Sequence, residues 1–323
     1  MTKPKVLVTR RWPQAVEAQM AQMFDLDLNM GDLPLSQDAL RDAMGKYDAI
    51  LPTVTDRLPA QVFDHPAMRT RILANYGVGF AHIDTDAAKS CGISVTNTPD
   101  VLSECTADIA MTLLLMVARR AGEGERELRE GRWTGWRPTH LIGTKVSGAT
   151  LGIIGFGRIG QAMAQRAHFG FGMKILVQNR SAVPAEVLAR YDAVQVDSIE
   201  DLLPQCDFVS LHCPGGTANR HLINSRRLDL MCPGAMLINT ARGEVVDEHA
   251  LAQALWFGTI GGAGLDVFER EPSVPADLLG ADNLVLLPHL GSATRETREA
   301  MGFRVLENLA DFFAGKSPRD KVA

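Results

Sequence analysis

The chain has 323 residues, 46% of them hydrophobic, and its 33 basic and 38 acidic residues give a net charge of −5. A chain of this length is expected to form two domains, and its negative charge argues against nucleic acid as a partner. Its apolar runs, such as residues 113–118, are much shorter than the ~18 residues of a membrane span, which argues against a membrane protein.

The first hundred residues predict a small α/β layer. Apolar runs at residues 5–9, 48–51, 71–74 and 93–96 are typical of strands, and residues 14–23 are typical of a helix. Because no apolar signal core precedes the first strand, the mature protein is expected to begin near Met1 and to be cytoplasmic. The five cysteines lack CxxC spacing, which predicts free thiols and no metal site.

A long apolar helix is predicted from Ser103, a favoured N-cap residue, to Arg119 and Arg120, whose charges suit a helix C-terminus. Residues 131–148 are rich in glycine, tryptophan and proline and predict an excursion over the surface. From residue 149 onward, helical patterns alternate with the apolar runs LGII, KILVQ, DFVSL, AMLIN, GGAGLDV and NLVLL. This alternation predicts a doubly wound parallel sheet, whose ligands bind beyond the carboxyl ends of the strands.

The sequence GFGRIG, residues 155–160, follows the first of these strands and opens a helical pattern, which is the context in which such a loop binds a dinucleotide. Gly155 would allow the tight turn, Gly157 the approach of the pyrophosphate, and Gly160 the close packing of helix on strand. The N–H groups at the start of the helix would bind the phosphates. The alternative is a glycine-rich turn that serves only packing.

The residue that contacts the cofactor ribose is expected about 20 residues after the glycine loop. Asn179 stands there, followed by Arg180 and Ser181, where NAD-preferring sites usually have an acidic residue. Arg180 can pair with a 2′-phosphate, and Ser181 can donate a hydrogen bond to it. The sequence therefore predicts NADP(H) in preference to NAD(H); the alternative is a solvated arginine beside a neutral asparagine.

Three residue types at other strand ends indicate the chemistry. Arg242 suits a carboxylate, His289 can donate a proton, and an acid beside the histidine would favour its protonated form. Spacing alone does not decide between Glu269 and Glu271 as that acid. With a reduced nicotinamide cofactor these groups could reduce a small 2-oxo acid, and His289 could act as the base in the opposite direction.

Six motifs follow one another along nearly the whole chain: NYGVGFAHID, NTPDVLSECTADIA, LGIIGFGRIG, LINTARGEVVDE, GLDVFEREP and LPHLGSAT. In this series the chain resembles the D-2-hydroxyacid dehydrogenase family and, within it, glyoxylate/hydroxypyruvate reductases. The resemblance implies an α/β protein in which a Rossmann-type, doubly wound parallel-sheet cofactor domain, residues 100–288, is inserted into a flavodoxin-like substrate domain, residues 1–99 and 289–323. It also implies hinges near Pro99 and Pro288.

The resemblance assigns roles to individual residues. It implies that Arg242, Glu271 and His289 are catalytic, with Glu271 chosen over its neighbour because the family's acid directly precedes a proline. It implies that the backbone amides of Val78 and Gly79 bind the substrate carboxylate together with Arg242. The glycine loop and the resemblance together give the expected cofactor-binding residues: Thr106, Gly155, Gly157, Arg158, Ile159, Gly160, Asn179, Arg180, Ser181, Cys213, Pro214, Thr240, Asp266, His289 and Gly291.

The family is typically a homodimer built on the inserted domain, so a homodimer is expected. Trp136 resembles the tryptophan that enters the partner's active site in hydroxypyruvate reductases, where it would contact substrate. The alternative is a tryptophan that packs only against the partner subunit.

One loop departs from the commoner family pattern. After LHCP, where many members have Leu-Thr, the chain has Gly215 and Gly216, and Asn219 replaces a usual threonine. Because this loop borders the cofactor, the sequence does not decide which contacts it makes there.

The activity implied by the resemblance is NADPH-dependent reduction of glyoxylate or hydroxypyruvate to glycolate or D-glycerate. Formate oxidation is disfavoured, since formate dehydrogenases have glutamine where this chain has Glu271. Phosphoglycerate dehydrogenases often carry a C-terminal regulatory domain, for which a chain ending at Ala323 leaves no room. An NADH-dependent reductase of another small 2-oxo acid and a non-catalytic, nucleotide-sensing binding protein of the same fold remain the alternatives.

Overall fold

A computed structural model describes residues 3–323, so the expected start of the protein at Met1 lies outside the described residues. The chain divides into two compact units. The first runs to Leu102 and resumes at Ala293–Ala323, and the second is Ser103–Ser292. The divisions fall within a few residues of the predicted domain limits, while the roles assigned to the two domains remain predictions.

Strands and helices alternate along both units. The strands in the described residues are β1 (Lys5–Val8), β2 (Asp25–Leu28), β3 (Ala49–Leu51), β4 (Ile72–Ala74), β5 (Ser94–Thr96), β6 (Thr150–Ile154), β7 (Lys174–Gln178), β8 (Ala193–Gln195), β9 (Phe208–Leu211), β10 (Met236–Asn239), β11 (Gly262–Leu265) and β12 (Leu284–Leu286). The α-helices are α1 (Gln14–Met23), α2 (Gln37–Met44), α3 (Thr85–Ser90), α4 (Ser103–Ala118), α5 (Ala121–Arg129), α6 (Arg158–Gln165), α7 (Ala185–Ala189), α8 (Ile199–Leu202), α9 (Ser225–Leu228), α10 (Glu248–Trp256), α11 (Ala276–Leu279) and α12 (Arg295–Phe313).

In the first unit, five parallel strands form one sheet in the order β2-β1-β3-β4-β5. Successive side chains of a strand point to opposite faces, and β1 follows this rule. Val6 and Val8 pack with α1 and α12 on one face, and Leu7 packs with α2 and α3 on the other. Helices therefore cover both faces, as in the flavodoxin-like layer that the sequence predicts.

In the second unit, seven parallel strands have the order β12-β11-β10-β9-β6-β7-β8. The chain moves outward from β6 to β8, then returns to β9 on the other side of β6, so the order reverses between β6 and β9. In a doubly wound sheet this reversal is where ligands bind. The apolar helix α4 lies against β10 and β11, and Leu113 and Leu114 are fully buried there. The predicted Rossmann-type sheet is thus confirmed.

Two strands are missing from the sequence prediction, and both are edge strands. β2 has the sequence DLDL with none of its side chains fully buried, and β8 is likewise only half-buried. Edge strands bury less surface than central ones and lack a continuous apolar run, which removes the signal that identified the others. In the described part of the chain, none of the helices combines the length and apolarity that a bilayer crossing demands.

Candidate active site

The glycine loop connects β6 to the N-terminus of α6 at the reversal of strand order. Gly155 has φ +92°, and a β-carbon there would lie 2.6 Å from the amide nitrogen of Cys213. A β-carbon on Gly160 would lie 2.3 Å from the carbonyl oxygen of Gly155. A β-carbon on Gly157 would meet no atom within 4 Å. The protein's own packing requires the first and last glycines, whereas the middle one leaves open space into which a ligand fits.

Polar residues at the end of β7 close one side of this loop. The Asn179 side-chain oxygen accepts a hydrogen bond from the amide nitrogen of Phe156 at 3.1 Å. Its nitrogen donates to the carbonyl oxygen of Ser181 at 3.0 Å. Asn179 thus ties the glycine loop to the following turn. Arg180 is exposed and forms no ion pair with any residue in the range 3–323, so its guanidinium is available to an anion.

The other residues expected at the cofactor lie around the same edge of the sheet. Cys213 and Pro214 follow β9, and burial raises the pKa of the Cys213 thiol to about 11. Thr240 follows β10, and its buried hydroxyl has no partner among the described residues. Thr106, in the first turns of α4, donates a hydrogen bond to the carbonyl oxygen of Gly291 at 3.2 Å. Arg158 and Ile159 form the first turn of α6, at the helix end that favours phosphate.

A histidine–carboxylate pair lies past β11 and β12. His289 Nδ1 is 2.9 Å from Glu271 Oε2, and Glu271 Oε1 accepts from the amide nitrogen of Phe268 at 3.0 Å. Burial alone would raise the pKa of the Glu271 carboxyl, but the hydrogen bond from His289 and the charge of His289 lower it below its usual range. Since Nδ1 contacts the carboxylate, Nε2 is the nitrogen left to meet a substrate.

The neighbouring acid, Glu269, contacts other residues and not His289. Its carboxylate pairs with Arg220 at 2.6 Å and lies 3.2 Å from His221 Nε2. Its backbone N–H donates to Glu248 Oε1 at 2.7 Å. Of the two acids that spacing alone left open, Glu271 is therefore the one in contact with His289.

Asp266 fixes the backbone around His289. Its two carboxylate oxygens accept hydrogen bonds from the amide nitrogens of Leu290 at 2.6 Å and Gly291 at 2.8 Å, and its carbonyl accepts from His289 N at 2.9 Å. Burial raises the pKa of the Asp266 carboxyl, and these N–H donors oppose the shift. His289 has φ +56°, a conformation that costs a non-glycine residue about 1 kcal/mol or more. The three hydrogen bonds to Asp266 hold it there.

Arg242 follows β10 in a turn packed tightly on the segment that carries Glu271. A β-carbon on Gly243 would lie about 2 Å from the Phe268–Glu269 peptide, so only glycine fits this approach. Arg242 Nη1 donates to its neighbour's carbonyl oxygen at 2.6 Å, and the guanidinium forms no ion pair within residues 3–323. Burial lowers the pKa of Arg242, and the charges of Glu244 and Glu271 oppose that shift. Most of its N–H donors are thus left for an anion.

The expected carboxylate-binding loop lies in the first unit, directly after β4. Asn75 Nδ2 donates to the carbonyl oxygens of Gly77 at 2.9 Å and Gly79 at 3.1 Å, and Asn97 Nδ2 donates to that of Val78 at 2.9 Å. The amide nitrogens of Val78 and Gly79 donate to no acceptor in the described part of the chain. The two asparagines thus bind carbonyl groups of this loop, while the N–H groups of Val78 and Gly79 have no acceptor in the described part of the chain.

Sequence reasoning missed the residues that support this geometry. Asn75, Asn97, Glu244 and Glu248 hold backbone groups near the candidate site residues, and none of them was assigned a role although all four lie within the six motifs. For Asn75 and Asn97 the available signal was position, because they directly follow β4 and β5. Trp136 was singled out and is 82% exposed, in the segment between α5 and β6.

Comparisons with known proteins agree with this architecture. A sequence model of the "D-isomer specific 2-hydroxyacid dehydrogenase, NAD binding domain" matches residues 111–291. Glyoxylate reductase from Thermococcus onnurineus is 44% identical over 98% of this chain and 95% of its own length. Among solved structures, the TT0316 protein of Thermus thermophilus has a TM-score of 0.90 and 41% identity, covering 98% of this chain and 99% of its own.

A third relative carries bound ligands. An NADPH-dependent glyoxylate/hydroxypyruvate reductase from Sinorhizobium meliloti, solved in complex with NADP and malonate, has a TM-score of 0.88 and 35% identity and covers 100% of this chain and 97% of its own. Identity above 40% over almost the full length, together with the family match, extends to both units. The chain therefore belongs to the D-isomer specific 2-hydroxyacid dehydrogenase family and is an NAD(P)-dependent oxidoreductase.

Proposed function

We propose that the enzyme reduces glyoxylate and hydroxypyruvate to glycolate and D-glycerate with NADPH. The observation that carries the proposal is Arg242. Its partly buried guanidinium has no ion-pair partner among residues 3–323 and lies in the same unit as the His289–Glu271 pair and the glycine loop. An uncompensated buried cation is costly, which is expected at a site built to receive an anion. The names of the relatives support glyoxylate as that anion.

Each residue then has a chemical task. Arg242 and the free amides of Val78 and Gly79 bind the substrate carboxylate. The reduced nicotinamide, when bound, supplies a hydride to the carbonyl carbon. His289 Nε2 donates a proton to the carbonyl oxygen, and the neutral imidazole regains a proton from solvent. Glu271 contacts Nδ1 and so orients the ring with Nε2 available to the substrate.

Arg180 supports the preference for NADPH, since it is exposed, unpaired within residues 3–323 and next to the glycine loop. Arg180→Ala is expected to raise the KM for NADPH about tenfold, because a charge-assisted hydrogen bond to the 2′-phosphate is lost, and to leave the KM for NADH unchanged. Adding Asn179→Asp, which keeps the acceptor for Phe156 N and supplies a carboxylate for the ribose, should reverse the preference.

Initial rates at 340 nm with both cofactors measure this change. Arg190→Ala is the matched control, since it removes an exposed arginine from the neighbouring helix end and should alter neither KM. An unchanged ratio of NADPH to NADH efficiency in the Arg180 variants would mean that other residues bind the phosphate.

The same assay tests the proposed substrates. Purified enzyme is mixed with glyoxylate, hydroxypyruvate or pyruvate, each with NADPH and with NADH. The highest kcat/KM is expected for glyoxylate or hydroxypyruvate with NADPH. Preference for NADH would contradict only the choice of cofactor. Cofactor binding without turnover of any 2-oxo acid would instead favour a nucleotide-sensing binding protein.

We also propose a cytoplasmic homodimer in which Trp136 contacts the partner subunit. Three large apolar side chains of the segment between α5 and β6 are more than half exposed, Trp133, Trp136 and Ile142, which supports an interface there. Sedimentation analysis should give about twice the chain mass of 35.1 kDa. Trp136→Ala should then raise the KM for hydroxypyruvate if the indole reaches the partner's site, and should weaken only the dimer if it does not.

A further inference from the structure

The loop after β9, which departs from the commoner family pattern, lies against Arg242. A β-carbon on Gly215 would lie 2.4 Å from Glu244 Oε1, 2.8 Å from Arg242 Cγ and 3.2 Å from Arg242 Cβ. The backbone of Gly215 therefore packs directly against the stem of the arginine proposed to bind the substrate carboxylate. No side chain fits between them.

Glu244 connects the same loop to the same arginine. Its Oε1 accepts a hydrogen bond from the amide nitrogen of Gly216 at 3.0 Å, and its charge acts on the Arg242 guanidinium. Gly216 has φ +99°, a conformation that side chains disfavour. Both glycines are thus needed for this arrangement. Gly215 leaves room for the Glu244 carboxylate, and Gly216 adopts the backbone geometry in which its N–H donates to that carboxylate.

Neither side of this contact is free to move away. Asn219 Nδ2 donates to the carbonyl oxygen of Pro214 at 2.8 Å, which anchors the loop just before Gly215. On the other side, Gly243 is locked against the Phe268–Glu269 peptide, which anchors the backbone of Arg242. The atoms of Arg242 that touch Gly215 are its first two side-chain carbons, which cannot swing aside as the end of a long chain can.

We propose that Gly215 and Glu244 are positioning residues that hold the Arg242 guanidinium where the substrate carboxylate binds. The loop that carries Cys213 and Pro214, expected to border the cofactor, thereby also fixes the substrate-binding cation. This inference rests on the proposed function of Arg242. In this arrangement, leucine at position 215 would displace both the stem of Arg242 and Glu244.

Gly215→Ala tests the proposal because it should change the KM much more than kcat. The added methyl group should raise the KM for glyoxylate about tenfold, since a tightly packed stem must shift, and should change kcat less than about threefold. Glu244→Gln keeps an oxygen that can accept from Gly216 N but removes the charge, and should raise the KM about threefold. The Kd for NADPH, measured by fluorescence titration, should change less than about twofold in both variants.

Gly170→Ala is the matched control, because a β-carbon there meets nothing within 4 Å, and it should leave all constants unchanged. A general packing role is distinguished by a double-mutant cycle with Arg242→Met, which removes the cation but keeps the stem. If Gly215 acts through the Arg242 guanidinium, Gly215→Ala should add less than about twofold to the KM in the Arg242→Met background, where no cation can be displaced. A full tenfold effect in that background, or an equal loss of NADPH affinity, would overturn the proposal.

Two outcomes separate this inference from the proposed function. If Arg242→Met raises the KM but Gly215→Ala and Glu244→Gln do not, only the inference is wrong. If Arg242→Met leaves the KM unchanged, the proposed function of Arg242 fails, and the inference fails with it. Should Gly215→Ala not fold, Glu244→Gln and its cycle with Arg242→Met give the same decision, since Glu244→Gln adds no volume.

Discussion

His289→Asn is expected to lower kcat for glyoxylate by about 10²–10⁴-fold, while the KM and the Kd for NADPH change little. The reason is that an amide can donate a hydrogen bond to the carbonyl oxygen but does not transfer a proton at neutral pH. Asparagine is chosen because His289 has φ +56°, and asparagine tolerates this left-handed conformation better than other residues. The substitution therefore removes the proton donor without straining the backbone held by Asp266.

The measurement is a set of initial rates at 340 nm together with thermal unfolding of each variant. His249→Asn is the control, since that exposed histidine also lies near a carboxylate, at 3.5 Å from Asp277, but belongs to α10 and contacts none of the candidate site residues. It should retain full kcat. A kcat within twofold of that of the unsubstituted enzyme would show that His289 is not the proton donor. A lower kcat together with a higher Kd for NADPH would indicate a disturbed backbone instead.

The fold was largely predictable because its central strands are buried on both faces. Continuous apolar runs such as those of β6 and β9 report that burial directly. The edge strands β2 and β8 escaped because exposure lets charged residues occupy alternate positions, as in DLDL. Strand order is not visible in the sequence, but the reversal beside β6 follows from the glycine loop, since such loops occur where the order reverses.

The candidate site was predictable as a set of residue types but not as a set of contacts. Glu269 and Glu271 are two residues apart in an apparently extended segment, so their orientations look equivalent in the sequence. In the structure one pairs with Arg220 and the other with His289. Spacing does not contain that information, because the choice depends on partners elsewhere in the chain. The resemblance supplied it, since the family's acid directly precedes a proline.

The residues that support the candidate site were harder still to predict from the sequence. Asn179 was predicted for the ribose, and its side chain also ties the glycine loop to Ser181. Gly215 was visible only as a departure from a family pattern, and its proposed role came from the finding that a β-carbon there would lie 2.8 Å from Arg242 Cγ. A glycine carries no chemistry of its own, so its role appears only when the atoms that a β-carbon would meet are known.

Arg242→Met is expected to raise the KM for glyoxylate by about 10²–10³-fold, with a smaller effect on kcat and none on the Kd for NADPH. The reason is that the proposed cationic partner of the substrate carboxylate is lost. Methionine is chosen because its unbranched stem still fills the space against Gly215, so the loop after β9 keeps its support.

The same substitution has an expected effect on stability that a purely structural arginine would not show. Arg242 is a partly buried cation without an ion pair in the described residues, so its removal takes away a desolvation cost and no salt bridge. Urea unfolding should therefore give a free energy equal to or up to about 1 kcal/mol above that of the unsubstituted enzyme. Arg180→Ala is the kinetic control with the opposite pattern, a higher KM for NADPH and an unchanged KM for glyoxylate. Loss of stability together with an unchanged KM for glyoxylate in Arg242→Met would mean that Arg242 supports the fold and does not bind substrate.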